Sequence, residues 1–163
     1  FSLKEGFSPD QALGFVHRFS RDNARTPMQW AAVSQAGFTV GKPWLPVHPD
    51  FARCCVETEA KDEKSVLSYY RQLARLREQS KAAEILQQGD YQEIMPEDER
   101  IYAFRRVLGN QCIHVVINFT LQEVRFNADF LQGEEYLIGN YEPGAKGHLR
   151  PLEAVVYQSI TRR

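Results

Sequence analysis

The run RIYAFRRVLGNQCIHVVINF, residues 100–119, decides the fold class. Two stretches rich in β-branched and aromatic residues, 100–107 and 112–119, flank Gly109-Asn110, a pair suited to a tight hairpin turn. Working outward, YQEIM (91–95), EVRF (123–126), EYLIG (135–139) and EAVVYQSI (153–160) have the same character. Turn residues separate them: Pro96 with Asp98, then Gly133, then Pro143 to Gly147. Short strands at this spacing predict a mainly β fold, an antiparallel, Greek-key-like β-sandwich over residues 89–163.

Ahead of residue 89 the pattern is different. Ser8, Pro9 and Gln11 form a capping box and a first helical turn, with Ala12, Phe15, Val16 and Phe19 on one face of a helix over 8–19. A second helix is predicted over 62–80, capped by Asp62. Val66, Tyr69, Leu73 and Leu76 make its apolar stripe, widened by Leu67 and Tyr70. Between the two lies a long connection, 20–61, and connections of that length in compact domains tend to be functional. Residues 1–88 thus contain helices and loops but no strand, and have no evident way of closing a core alone.

Within that connection, RDNARTPMQWAAVSQAGFTVGKPW (21–44) concentrates Arg21, Asp22, Asn23, Arg25, Trp30 and Trp44 among Pro27, Gly37, Gly41 and Pro43. Guanidinium groups hydrogen-bond hydroxyls in a fixed fork, and indole faces stack on sugar rings. The residue types therefore suit a carbohydrate. On composition alone, the stronger reading is a self-contained loop in which Arg21, Asp22 and Arg25 form internal ion pairs and the two tryptophans fill the centre.

The string RDNARTPMQW…AGFTVGKPW resembles the signature that follows the last barrel strand in the oligo-1,6-glucosidase and α-glucosidase branch of the α-amylase superfamily, glycoside hydrolase family 13. SVLSYYRQLARLRE (65–78) is similar to that family's last barrel helix. GDYQEI (89–94), IYAFRR (101–106), VVINFT (115–120) and LRPLEAVVY (149–157) are similar to successive pieces of its C-terminal β-domain. Departures from the pattern are Ala31, where the family usually carries a polar residue, and His48 and Asp50 in place of asparagines.

The resemblance implies a division into 1–88, the tail of a (β/α)₈ catalytic barrel, and 89–163, the C-terminal β-domain. It implies that Arg21 reaches the subsite of the non-reducing glucose and that Arg25 shapes the aglycone side, with Trp30 and Trp44 supporting the loop. The family's reaction is retaining hydrolysis of terminal α-glucosidic bonds by two carboxyl groups ~5 Å apart. A barrel takes ~250 residues, so the chain is expected to be a C-terminal, non-catalytic fragment whose nucleophile and acid lie upstream. Its expected partners are an α-glucoside oligosaccharide in the parent enzyme and the remainder of the barrel, with self-association through the helix stripe where that stripe is uncovered. Trehalose-6-phosphate hydrolases and sucrose isomerases share the motif and are alternative parents. A stand-alone structural or weakly carbohydrate-binding β-module is the other reading.

The totals bound these expectations. The chain has 163 residues, 43% hydrophobic and 25% charged, with net charge −1. Such composition is globular and balanced, without the basic footprint of a nucleic-acid binder or a span for a membrane. Cys54, Cys55 and Cys112 show no zinc-site spacing and read as free thiols, which suits a cytoplasmic setting. No metal or cofactor is expected. The acidic clusters Glu57/Glu59, Glu97/Asp98/Glu99 and Glu134/Glu135 are expected to be solvated or to point to opposite faces, and His114 to be an ordinary strand histidine.

Overall fold

The computed structural model describes residues 4–19 and 22–159. The chain divides into two compact units, Phe1–Ser68 and Tyr69–Arg163.

The first unit is helical and open. Helix α1 (Pro9–Phe19) starts where the capping box places it. The Ser8 N–H donates to Gln11 Oε1 at 3.0 Å, and the Gln11 N–H donates back to Ser8 Oγ at 3.2 Å. The expected apolar face is less covered than its spacing suggests. Ala12 is half-buried, whereas Phe15 and Val16 are exposed, Phe15 meeting Phe7 edge-on at 5.1 Å. A short helix absent from the sequence reading, α2 (Val56–Glu59), follows three 3₁₀ turns. Pro27, Ala36, Cys55 and Ser65 are the buried residues among those described in this unit.

Helix α3 (Val66–Gln79) begins four residues after Asp62. Asp62 instead closes a turn onto the Lys64 N–H, and Ser65 Oγ takes the Ser68 N–H as the true N-cap. Glu59 Oε2 takes the Leu67 N–H, which places a carboxylate at the helix N-terminus. No residue of α3 is fully buried. Tyr69, Leu73 and Leu76 are half-covered and Val66 and Tyr70 lie open, so the stripe is narrower than expected.

Among the described residues the second unit has seven strands. They are β1 (Asp90–Ile94), β2 (Ile101–Leu108), β3 (Gln111–Asn118), β4 (Val124–Arg125), β5 (Glu135–Gly139), β6 (His148–Leu149) and β7 (Ala154–Gln158). Five form one antiparallel sheet in the order β1-β2-β3-β7-β5, and β4 pairs with β6 in a separate two-stranded ladder. Leu108 pairs with Gln111, so Gly109-Asn110 is the two-residue turn expected. Gly109 has φ +60 and Asn110 stays at negative φ, which is the pattern of a type II′ hairpin.

Alternation along β2, β3 and β7 sends side chains to two cores. On one face Ile101, Ala103, Val116, Val155 and Tyr157 pack with Val124, Leu131 and Leu149. The β4/β6 ladder and the Asp129–Leu131 turn thus cover that face, a lighter layer than a second full sheet. On the other face Ile113, Val115, Leu137 and Val156 meet Ala82, Ile85, Leu86 and Leu76. Helix α4 (Ala83–Gln88), which the sequence reading did not anticipate, supplies most of that cover. Arg77 Nη1 donates to the Leu86 carbonyl and Gln87 Nε2 to the Arg77 carbonyl, tying α4 back to α3. Fully buried Ile85, Ile113, Val116 and Leu131 each contribute about 1.5–3 kcal/mol by leaving water.

At the end of β3, Asn118 knots three segments. Its Nδ2 donates to the carbonyls of Gln122 and Arg150 at 2.7 and 2.8 Å. Its Oδ1 accepts from the Thr120 N–H and hydroxyl, both at 2.8 Å. The amide is wholly buried and wholly satisfied.

Candidate functional site

The loop 22–44 is fixed by its backbone. A 3₁₀ turn over Asp22–Ala24 lets the Arg25 N–H reach the Asp22 carbonyl. Further on, Gln35, Ala36 and Gly37 all adopt positive φ (52, 53 and 68). That left-handed run turns the Ala36 carbonyl inward, where it accepts from both Trp30 N–H and Ala31 N–H at 2.9 and 3.1 Å. The first two N–H groups of α2, on Val56 and Glu57, donate to the Gln29 and Trp30 carbonyls. Ala31 offers no polar side chain, yet the loop is held at this point by main-chain bonds. His48 takes the place of an asparagine cap, its Nδ1 accepting the Asp50 N–H at 3.2 Å, and Asp50 is in turn clamped by Arg53 at 2.7 Å.

The loop's side chains are displayed rather than packed. Trp44 is 84% exposed and Trp30 51%, so the tryptophans do not fill the centre of the loop; Ala36 and Pro27 do. Arg25 is exposed and makes no ion pair with a described residue. The internal ion-pair reading therefore has no support at Arg25. Arg21 lies outside the described residues. Among the described residues no ring contact or ion pair joins Arg25, Trp30 and Trp44 to one another. Gln29 Oε1 is buried without a donor, a deficit of about 1–3 kcal/mol.

The acidic clusters are accounted for individually. Glu57 pairs with Lys61 at 2.9 Å, and Glu59 caps α3. Asp98 is bonded by Arg100 through Nε and Nη2, both at 2.8 Å, which holds its carboxyl below the usual range. Glu134 departs from the expected solvated acid: the residue is half-buried and its side chain only 7% exposed, with Oε2 at 2.7 Å from His114 Nδ1, and His114 is itself enclosed. No local pattern warns of this, because the partners lie twenty residues apart and meet through a turn.

A second buried carboxylate, Glu153, is also absent from the sequence reading. Its oxygens take Arg150 Nε at 3.0 Å, Arg150 Nη2 at 2.6 Å and the Arg150 N–H at 2.7 Å. Burial pushes this carboxyl up, but the Arg150 hydrogen bonds and charge outweigh it and leave the pKa lowered.

Against this geometry the comparisons are specific. Residues 2–89 match the α-amylase catalytic-domain family, more than half of the chain. The chain belongs to the α-amylase family, glycoside hydrolase family 13. Within it, the oligo-1,6-glucosidase of Parageobacillus thermoglucosidasius is 37% identical over 161 residues, covering 94% of this chain and 28% of that protein. The crystal structure of Bacillus licheniformis trehalose-6-phosphate hydrolase superposes with TM-score 0.82 at 31% identity, over 96% of this chain and 29% of that one. The isomaltulose synthase of Klebsiella sp. LX3 gives 0.81 at 35% identity, with the same coverages. The chain therefore spans under a third of the length of the relatives it matches. Among the described residues no helix is long and apolar enough to cross a membrane.

Proposed function

We propose that this chain serves as the C-terminal part of a retaining α-glucosidase that removes glucose from terminal α-glucosidic bonds of oligosaccharides, in the manner of an oligo-1,6-glucosidase. The observation that carries the reading is the 21–44 loop: a specific motif on a backbone-locked scaffold that displays Arg25, Trp30 and Trp44. Similarity to an oligo-1,6-glucosidase along 94% of the chain supports it.

In this reading residues 1–88 are the end of the catalytic barrel and 89–163 are a C-terminal β-sandwich domain. Arg21 orients the glucose through its hydroxyls, Arg25 shapes the aglycone side, and the substrate is an α-glucoside oligosaccharide. The bond-breaking carboxylates are supplied by the rest of the barrel, so the 163 residues alone do no hydrolysis. The exposed tryptophans and the α3 stripe meet that barrel, and self-associate without it. A reducing cytoplasm suits the neighbouring unpaired thiols Cys54 and Cys55. Trehalose-6-phosphate hydrolase and sucrose isomerase parents are kept as variants, since structures of both kinds of enzyme superpose equally well.

A purely structural module is favoured by a different observation, the two closed cores around the five-stranded sheet. Hydrolysis of p-nitrophenyl α-glucoside separates the readings when the 163-residue chain is assayed beside a form extended upstream by its natural coding sequence. Activity confined to the longer form, and lowered there by Arg25→Ala, is the expected result. Activity in the 163 residues, or in neither form, would overturn the proposal.

A further inference from the structure

We propose that Cys112, His114 and Glu134 form a binding site for a single divalent cation of the zinc class. Cys112 and His114 alternate on β3 and so project from the same face of the sheet. Glu134 reaches them from the turn ahead of β5. Cys112 Sγ lies 3.8 Å from His114 Nδ1 and 3.6 Å from Glu134 Oε1, and His114 Nδ1 lies 2.7 Å from Glu134 Oε2. The three donor atoms lie within 4.8 Å of one another.

A tetrahedral zinc ion with ordinary bond lengths sets sulfur–nitrogen and sulfur–oxygen edges of about 3.6 Å and a nitrogen–oxygen edge of about 3.3 Å. Two of the three edges are already present. The third needs only the exchange of the Nδ1···Oε2 hydrogen bond for two bonds to metal. One thiolate, one neutral imidazole and one carboxylate, a mixture of soft and hard donors, select zinc, cobalt and their neighbours over magnesium or calcium, which want oxygen alone. A thiolate and a carboxylate also cancel the charge of a divalent ion, so the occupied site is neutral.

The ligands stand on a braced backbone. The Cys112 N–H donates to Ser159 Oγ at 2.8 Å, and the Ser159 N–H returns to the Cys112 carbonyl at 2.9 Å. Lys146 Nζ donates to the carbonyls of Leu131 and Glu134 at 2.6 and 2.7 Å, pinning the turn that carries the carboxylate. Cys112 is only half-buried, which leaves an entry route and a fourth coordination position. Arg105 stands opposite His114 in the β2–β3 register.

The same atoms do not make a nucleophilic relay. In such a relay the thiol and the carboxylate sit on different ring nitrogens, whereas both converge here on Nδ1, and Nε2 is buried without a partner.

Titration of the metal-free protein with cobalt(II) chloride reads the site directly. The expected spectrum has a cobalt–thiolate charge-transfer band with the intense d–d bands of tetrahedral cobalt, saturates at one equivalent, and is erased by zinc. Cys112→Ser abolishes the charge-transfer band, and Glu134→Gln weakens binding by ~100-fold or more, since loss even of an outer-sphere partner costs about 10–100-fold. Replacing both Cys54 and Cys55 by Ser leaves the band intact. Circular dichroism checks each variant's fold, and where Cys112→Ser does not fold, Cys112→Ala is compared for loss of the zinc-induced rise in Tm. No band in the folded wild-type protein, a band that survives Cys112→Ser, or one that vanishes with Cys54 and Cys55 would overturn the proposal.

Discussion

Replacing Asn118 by aspartate tests the buried amide knot with almost no change of shape. The Oδ1 side of the residue is conserved, so both bonds from Thr120 remain available. The Nδ2 side becomes an oxygen facing the carbonyls of Gln122 and Arg150 at 2.7 and 2.8 Å, so two attractive contacts turn repulsive. Each carbonyl that loses its donor costs about 1–3 kcal/mol when water does not replace it. Gln122 is exposed and recovers part of that, which puts the total at about 3 kcal/mol. With a urea dependence of about 1.5 kcal/mol per M, the midpoint falls by roughly 2 M. Far-UV circular dichroism is the suitable probe, since both tryptophans lie in the other unit. Acidification that protonates the introduced carboxylate restores one donor and narrows the gap to wild type. A midpoint within error of wild type at neutral pH would show that these donor bonds do not hold the 118–122 and 150 segments together.

Two further outcomes follow from burial and charge. Glu153 has a lowered pKa in the fold, so its stabilisation is complete above its usual value of about 4.5 and is lost as pH falls through the folded value; Glu153→Gln should flatten the acid limb of the stability–pH curve measured by urea midpoints, and an unchanged limb would remove Glu153 from the account. Ile85→Ala, in a fully buried side chain, should cost about 3 kcal/mol, whereas Leu73→Ala on the half-covered α3 stripe should cost about 1 kcal/mol; equal losses in thermal melts would mean that the stripe is a core face after all.

What can be read from the sequence is local. Gly109-Asn110 between two strand-forming runs fixes a hairpin without reference to anything distant, and Ser8 with Gln11 fixes a helix start in the same way. Six of the seven strands are legible because each runs with, or beside, turn residues. Strand β6, His148–Leu149, is not, since two residues cannot display a period. Helix α4 escapes for a related reason: six residues give too short a stripe, and its stability comes from Ile85 against Ile113 across the chain. The motif string exposes Arg25 as a candidate. By contrast, nothing near Glu134 announces His114, twenty residues away; Glu153 has its partner Arg150 only three residues before it, but the turn that folds Arg150 over the carboxylate shows no period to read.

The positive-φ run at Gln35, Ala36 and Gly37 bears on why the motif loop has this form. A Cβ at position 37 would meet Trp30 and Ala31 at 3.6 Å, an ordinary contact, so glycine is needed there for φ rather than for room. Gln35 and Ala36 have no such freedom, and each holds a left-handed conformation at a cost of order ~1–2 kcal/mol. They are two of only four non-glycine residues at positive φ among those described. The return for that strain is one carbonyl, that of Ala36, aimed at two consecutive N–H groups, and this sets where Trp30 leaves the backbone. The strained turn at Gln35 and Ala36 thus fixes the start of the Trp30 side chain, which is itself half exposed, by main-chain bonds alone.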